Sequence, residues 1–564
     1  MPLSKTTLLV ALPFILLTGC ASTKPTDTGI NFNKFQQDGL NGLAANRLAE
    51  AKKLDYAKNP SALDLAKAVE LYREAADAGS AEAQFELSGM YFRGRGTAKD
   101  ITKAIEFTKK SAEQGYAPAQ ANLGTFYFEG KYLPQDYGKA YDLTNKAVAQ
   151  GNALAENNMA MFYANGIGVE KDLSKVLEFI KKAANHGNDL AQYSLGLQYL
   201  GAKGFGIKPD YQQAFVWFEK SARQGYAPAQ SYLALMYYNG DAVSKNSKEA
   251  AIWLQKAASQ GDRIGQAYYG HMLFNGETPV IQDQAAGFKL IEAAAKQGNV
   301  HAHKLLTDIY SRGLYVKKDL TQAIKYATPV AKMGDSFAQG ALASSYEELS
   351  DYPNTFKWAQ KAAEQNNYIG QAVLGNCYYF AKGVAKDVNL AVHWWQKAAD
   401  QGYGSAQGLI GVSYEFGQGG LPQSYEQAAK WYQLSADQGF PLAKIHLADF
   451  LYEGKQGVPQ DRKKAISLYQ QAAKGGDEYA KQKLDDIFKQ TMLEPDKEDN
   501  KPKAHNANSG RHKPTARHYT SVSSKIATSF ASGRNTQNSG KTLNVPMEMP
   551  SIILDKPGMA GPDE

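Results

Sequence analysis

The feature that most constrains this chain is a short phrase that returns at a nearly fixed interval. Ala-Ala-x-x-Gly, or a close variant, ends at Gly79, Gly115, Gly151, Gly187, Gly225, Gly261, Gly298, Gly334, Gly402, Gly439 and Gly476, and Asn366 holds the same slot once. The intervals are 36, 36, 36, 38, 36, 37, 36, 32, 36, 37 and 37 residues. A period of this length marks a repeat array, in which each unit buries its apolar face only against its neighbours.

Each period reads as two helices. In repeat 3, Pro118 suits a first helical turn, where its missing N–H costs nothing. Ala119 to Glu129 then forms the first helix, with Leu123 and Tyr127 four apart on one face. Gly130 can close that helix in the left-handed conformation. Asp136 is placed to cap the second helix, which carries Ala140, Leu143 and Ala147 on one face and ends at Gly151.

The same slots recur along the chain. Leu and a small residue pair at Leu123/Gly124, Leu195/Gly196, Leu233/Ala234, Leu374/Gly375 and Leu447/Ala448. A ring slot holds tyrosine, as at Tyr91, Tyr163 and Tyr310. A cap slot holds Asp100, Asp136, Asp172, Asp210, Asp283, Asp319, Asp387 and Asp461. The second helix carries a large ring, Phe107, Phe179, Trp217, Trp253, Tyr326, Trp358, Trp394 or Trp431, expected to lie in the core beside the small residue.

The phrase Ala-x-x-x-Leu-Gly-x-x-Tyr-x-x-Gly, then Asp-x-x-x-Ala, then Ala-Ala-x-x-Gly, resembles the Sel1-like repeat, a relative of the tetratricopeptide repeat. The resemblance covers residues 44–490 and implies an all-α fold. That fold is a right-handed α-solenoid of about twelve helix-pair repeats over 38–490, followed by a disordered tail at 491–564. Residues 44–79 read as a degenerate first repeat, and 477–490 as a lone closing helix. The 38-residue interval holds a loop insertion, Gly201 to Pro209. The 32-residue interval reads as lacking the loop glycine and the Asp cap, so a kink is expected near 345–356.

The amino terminus reads as an address. One cation, Lys5, precedes an apolar run from Leu8 to Leu17, too short to span a bilayer and suited to a secretory signal. It ends in Leu17-Thr18-Gly19-Cys20, which resembles the bacterial lipobox. That resemblance implies a signal peptide at 1–19, acylation of Cys20, and a tether over 20–37. Ala21 after the cysteine favours the outer membrane by the same resemblance, with the protein facing the periplasm. Several acyl chains on one residue anchor firmly where one chain does not.

No motif gathers catalytic groups. Gly94/Gly96, Gly166/Gly168 and Gly204/Gly206 lack the third glycine and the preceding strand of a dinucleotide fingerprint, and read as turns. His301 and His303 point apart on a helix and cannot share a metal, so a local role is expected for each. Cys377 reads as a packed thiol. The expectation is therefore no enzyme, no cofactor and no metal.

What remains is surface. By resemblance to tetratricopeptide grooves, the slot after the tyrosine faces inward, giving Phe92, Phe128, Tyr238, Phe274, Tyr379 and Tyr452 as candidate groove residues. The chain's charge sits elsewhere. Of 63 Lys and Arg against 56 Asp and Glu, eight cations and no acid lie between 501 and 541. Lys501, Lys503, Arg511, Lys513, Arg517, Lys525, Arg534 and Lys541 are candidate contacts for anionic polysaccharide or lipid headgroups. A short apolar stretch, 543–554, could add to a partner's sheet edge or groove. Nucleic acid is not an expected partner of an exported chain. The reading is a non-enzymatic outer-membrane lipoprotein scaffold with envelope-protein partners, which resemblance to the family links to exopolysaccharide assembly or export. A regulator of a peptidoglycan-modifying enzyme is the alternative, and an envelope hydrolase a third.

Overall fold

The computed structural model describes residues 38–202 and 207–493, together with 527, 528 and 530. Among the described residues the chain forms 25 helices and no strand. The helices pair in chain order. Repeat 1 joins Asp38–Asp55 to Ala62–Asp77, repeat 3 joins Ala117–Glu129 to Tyr137–Val148, and repeat 12 joins Pro441–Glu453 to Arg462–Lys474. A lone helix, Glu478–Leu493, follows the twelfth pair and packs on Arg462–Lys474. The chain divides into two compact units. One runs to Tyr269 and includes Thr278–Val280, and the other takes Gly270–Glu277 and continues from Ile281.

The caps explain where helices begin. All eight aspartates of the cap slot cap a second helix; Asp136 accepts from Lys139 N–H at 3.0 Å and Asp319 from Gln322 N–H at 3.0 Å. Each supplies an acceptor that the first helical turn lacks. Asn246 and Ser424 do the same in repeats 6 and 11. First helices end in the left-handed conformation, as at Gly94 with φ of 69°. Gly96, with φ of 68°, has a second reason to be glycine: a Cβ there would strike the Leu65 carbonyl of the preceding repeat. The turn reading of Gly94/Gly96 and Gly166/Gly168 thus holds, while Gly204/Gly206 lie outside the described residues.

The short connection corrects one detail. Repeat 9, Ser336–Glu348 and Tyr352–Glu364, does have an Asp cap: Asp351 accepts from Asn354 N–H at 3.2 Å. Ser350, with φ of 60°, takes the left-handed turn that a glycine takes elsewhere. The loop shrinks to Leu349–Asp351, and the first helices of repeats 9 and 10 come into direct contact.

Packing corrects another. Trp358 lies in the core as expected, but in repeats 5, 10 and 11 the ring that meets the small residue is the one after the expected tryptophan. Gly196 faces Phe218, Gly375 faces Trp395, and Gly411 faces Tyr432, and all three rings are buried. One residue further turns a helix by about 100°. Trp217, Trp253 and Trp394 therefore lie half-buried nearer solvent, with lysine ammonium groups 4.0, 4.1 and 4.5 Å from their ring centres (Lys220, Lys256, Lys397). In other repeats this slot stacks on the tyrosine of the same pair: Tyr91 on Phe107, Tyr163 on Phe179, Tyr310 on Tyr326.

Candidate interaction surfaces

Buried polar groups join one repeat to the next. Gln120, near the start of a first helix, donates to the Ala112 carbonyl of the preceding repeat at 3.3 Å. It also accepts from Gln150, at the end of its own repeat, at 3.0 Å. The same rung forms at Gln84/Gln114, Gln192/Gln224, Gln230/Gln260, Gln339/Gln365, Gln371/Gln401 and Gln407/Gln438, at 2.7 to 2.9 Å. In repeat 4 the rung is Glu156 and His186, 2.8 Å apart. Repeat 8 places His303 and Met333 in these slots, and His303 Nδ1 lies 3.0 Å from the Tyr326 carbonyl instead. Sequence reading missed this ladder. Its signal was present, as a Gln before the repeat-ending glycine and another after the next alanine.

The candidate groove rings prove to be packing elements. None of the six is exposed; Phe274 and Tyr379 are buried, which corrects their assignment to an open groove. Phe92 stacks on Phe126 of the next repeat at 6.1 Å, and Phe128 meets Phe162 edge-on at 5.3 Å. Tyr379 lies 5.0 Å from Trp395, and Phe274 meets Tyr315 at 6.3 Å. Tyr238 and Tyr452 are half-buried beneath Lys245 and Arg462. At Phe92, Phe128 and Phe274 the ring one position past the tyrosine reaches a ring of the next repeat.

His301 is not local. Its Nε2 lies 3.3 Å from Nδ1 of His271, one repeat earlier, and both rings are buried. Burial first, then the charges of His271 and Lys304, hold His301 well below the ordinary imidazole value of 6.5. Cys377 is buried, and burial, with Glu347 nearby, pushes its thiol up to about 12. It is a packed thiol rather than a thiolate. A depression lined by Gln433, Asp437, Lys444, Lys464, Ser467 and Gln471 holds neither histidine nor cysteine. Among the described residues, no group of three His, Cys, Asp or Glu is placed to hold a metal, and no helix is long and apolar enough to cross a membrane. Cys20, the eight tail cations from Lys501 to Lys541 and the 543–554 stretch lie outside the described residues.

Of the tail, Ala527, Thr528 and Phe530 are described, and Ala527 and Phe530 are buried in the core of the second unit. Phe530 stacks on Tyr432 at 6.1 Å and lies 6.3 Å from His446. Its carbonyl accepts from Ser405 Oγ at 2.8 Å.

Stacked helix pairs, locked to each other by side-chain ladders, define an α-solenoid of the kind that acts as a protein-interaction scaffold. The chain belongs to the Sel1 repeat family. The family model matches residues 43–80, 81–116, 117–152, 153–188, 189–226, 227–262, 264–299, 304–335, 338–367, 369–403, 404–440 and 441–477, twelve repeats as expected. Among solved structures, the chain is similar to a protective antigen present in uropathogenic Escherichia coli strains and displaying an SLR fold. Identity is 29%, the TM-score is 0.50, and the match covers 86% of this chain and 99% of that one. It is also similar to a Sel1 repeat protein from Oxalobacter formigenes, at 29% identity and a TM-score of 0.36, over 42% of this chain and 98% of that one. No curated protein matches the chain.

Proposed function

We propose that this protein is an acyl-anchored, non-enzymatic scaffold of the outer membrane. It presents its repeats to the periplasm and assembles envelope proteins, in exopolysaccharide assembly or export. The observation that carries the scaffold reading is the use of buried polar groups to tie one repeat to the next, as where Gln120 donates to the Ala112 carbonyl. That stiffens a surface for binding. The anchor rests on Leu17-Thr18-Gly19-Cys20 behind its apolar run, and the Cys20 acyl groups would seat in the bilayer. The eight cations between Lys501 and Lys541 supply attraction to anionic polysaccharide or lipid headgroups.

The test is in cells. Wild-type protein is expected in the outer-membrane fraction and labelled by an alkyne fatty acid. Cys20→Ser is expected to lose the label and leave that fraction; retention without label sinks the anchor. Crosslinking with mass spectrometry, with and without residues 494–564, then identifies partners. Polysaccharide-export proteins support the process named here, and lytic peptidoglycan enzymes would replace it with regulation of their activity.

A further inference from the structure

Repeats 5 and 6 contain a cluster of three rings from two successive repeats. Tyr193 on the first helix of repeat 5 lies 5.9 Å from Phe218 on its second helix. It also lies 5.8 Å from Tyr232 on the next first helix, and Phe218 stacks on Tyr232 at 5.3 Å. The repeat register places Gly408, Tyr432 and His446 in these same three slots of repeats 11 and 12. Tyr432 stacks on His446 at 5.1 Å, so two rings of the cluster are present. The third slot has no side chain. Phe530 from the tail fills it: a Cβ on Gly408 would collide with Cε1 and Cδ1 of the Phe530 ring.

The seat has fixed walls. Tyr432 Oη donates to Glu415 Oε2 at 2.6 Å, and His446 Nδ1 lies 3.4 Å from that same oxygen. Phe450 meets Tyr432 on another side at 5.8 Å. The incoming chain is also gripped by its backbone, through Ser405 Oγ and the Phe530 carbonyl. A buried ring in offset contact with two others, plus one backbone hydrogen bond, is the grammar of peptide recognition by an aromatic anchor. Neither contact reads anything unique to position 530.

We propose that the vacancy over Gly408 is a recognition site for an aromatic residue of a peptide segment, and that the chain's own Phe530, which is helical there, occupies it until a partner bearing such a residue displaces it. The proposal rests on the scaffold reading and adds where a partner binds and what it must present. The tail is then an internal competitor that sets the threshold for binding.

The test uses the full chain and a fluorescent peptide of residues 523–536. Phe530→Ala is expected to bind the peptide with saturation. Wild type is expected to bind it at least about ten-fold more weakly, because apparent affinity scales with the fraction of open sites. The peptide carrying Ala for Phe is expected not to bind. Gly408→Tyr, added to Phe530→Ala, supplies the ring that repeat 5 carries itself and is expected to abolish binding with circular dichroism unchanged. Ser405→Ala in the same background, which removes the backbone grip alone, is expected to weaken it. Equal binding by wild type and Phe530→Ala overturns the proposal, as does binding that survives Gly408→Tyr or the absence of binding by a folded Phe530→Ala. These outcomes are independent of the crosslinking result. Peptide binding without any crosslinked partner would sink the scaffold and leave the site.

Discussion

Gln150 donates its side-chain amide to Gln120 Oε1 at 3.0 Å, and the two residues stand 30 apart at opposite ends of one repeat. Gln120 is buried and Gln150 is exposed, so the rung has a dry end and a wet end. The dry end also donates to Ala112 and so ties repeat 3 to repeat 2.

The rung therefore predicts an asymmetry. Gln120→Ala removes one buried and one half-buried hydrogen bond and is expected to cost about 1–3 kcal/mol, whereas Gln150→Ala leaves Gln120 oxygen near water and is expected to cost under about 1 kcal/mol. Urea unfolding of the two variants measures the difference. Equal costs would mean that the ladder does not join repeats energetically.

Two helix glycines should respond to alanine in opposite directions. Gly138 is exposed, and a Cβ there meets only Asp136 at 3.5 Å. Gly138→Ala is expected to stabilise by up to about 1 kcal/mol through helix propensity. At Gly375 a Cβ would strike the buried Trp395 ring, with Nε1 at 2.5 Å, and the Ala391 carbonyl at 3.0 Å. Trp395 is held by its hydrogen bond to Asn376 at 3.1 Å. Gly375→Ala is expected to destabilise by about 1–3 kcal/mol, the range for overpacking. Thermal unfolding decides both signs.

Burial of His301 predicts an acid sensitivity. The folded imidazole, facing His271 with Lys304 near, titrates below 6.5, while the unfolded one takes its proton near 6.5. Below that pH the unfolded state binds the extra proton. This stability is thus complete above about pH 6.5 and is lost as pH falls further, by up to about 1.4 kcal/mol per pH unit. Glu277, 3.9 Å from His271 Nε2, is the acid on that side. His301→Gln should flatten the loss in stability measured between pH 7 and pH 5; an unchanged slope would assign the loss elsewhere.

Cys377 should be chemically silent. In a Cys20→Ser background it is the sole cysteine. Its buried thiol, with a pKa pushed up to about 12, is expected to react with a thiol reagent at neutral pH at least about 100-fold more slowly in buffer than in urea. Rapid labelling of the folded protein would show that repeat 10 opens there.

The period of Ala-Ala-x-x-Gly and the fixed caps were enough to place the helices, because helix ends are local chemistry: an acceptor at Asp136 and a left-handed turn at Gly130 need no distant partner. Which ring faces which neighbour was less legible. Trp217 and Phe218 are adjacent and both aromatic, and only the helix rotation selects Phe218 to face Gly196. The groove assignment failed at Phe274 and Tyr379 for a related reason. A slot's exposure depends on which rings cover it from outside its own helix, Tyr315 over Phe274 and Trp395 beside Tyr379, and the slot's position in the period does not encode that.

By itself the sequence determined an all-α repeat array, the number of its units, their boundaries and their caps, because each is a short-range property repeated twelve times. Only the tertiary structure decided the contacts between chemically ambiguous groups. It paired His301 with His271 across repeats, and it seated Phe530 over Gly408 from 122 positions away. A glycine in a helix reads as a weak helix former in one dimension. In three dimensions, between Tyr432 and His446, it is the room that a ring needs.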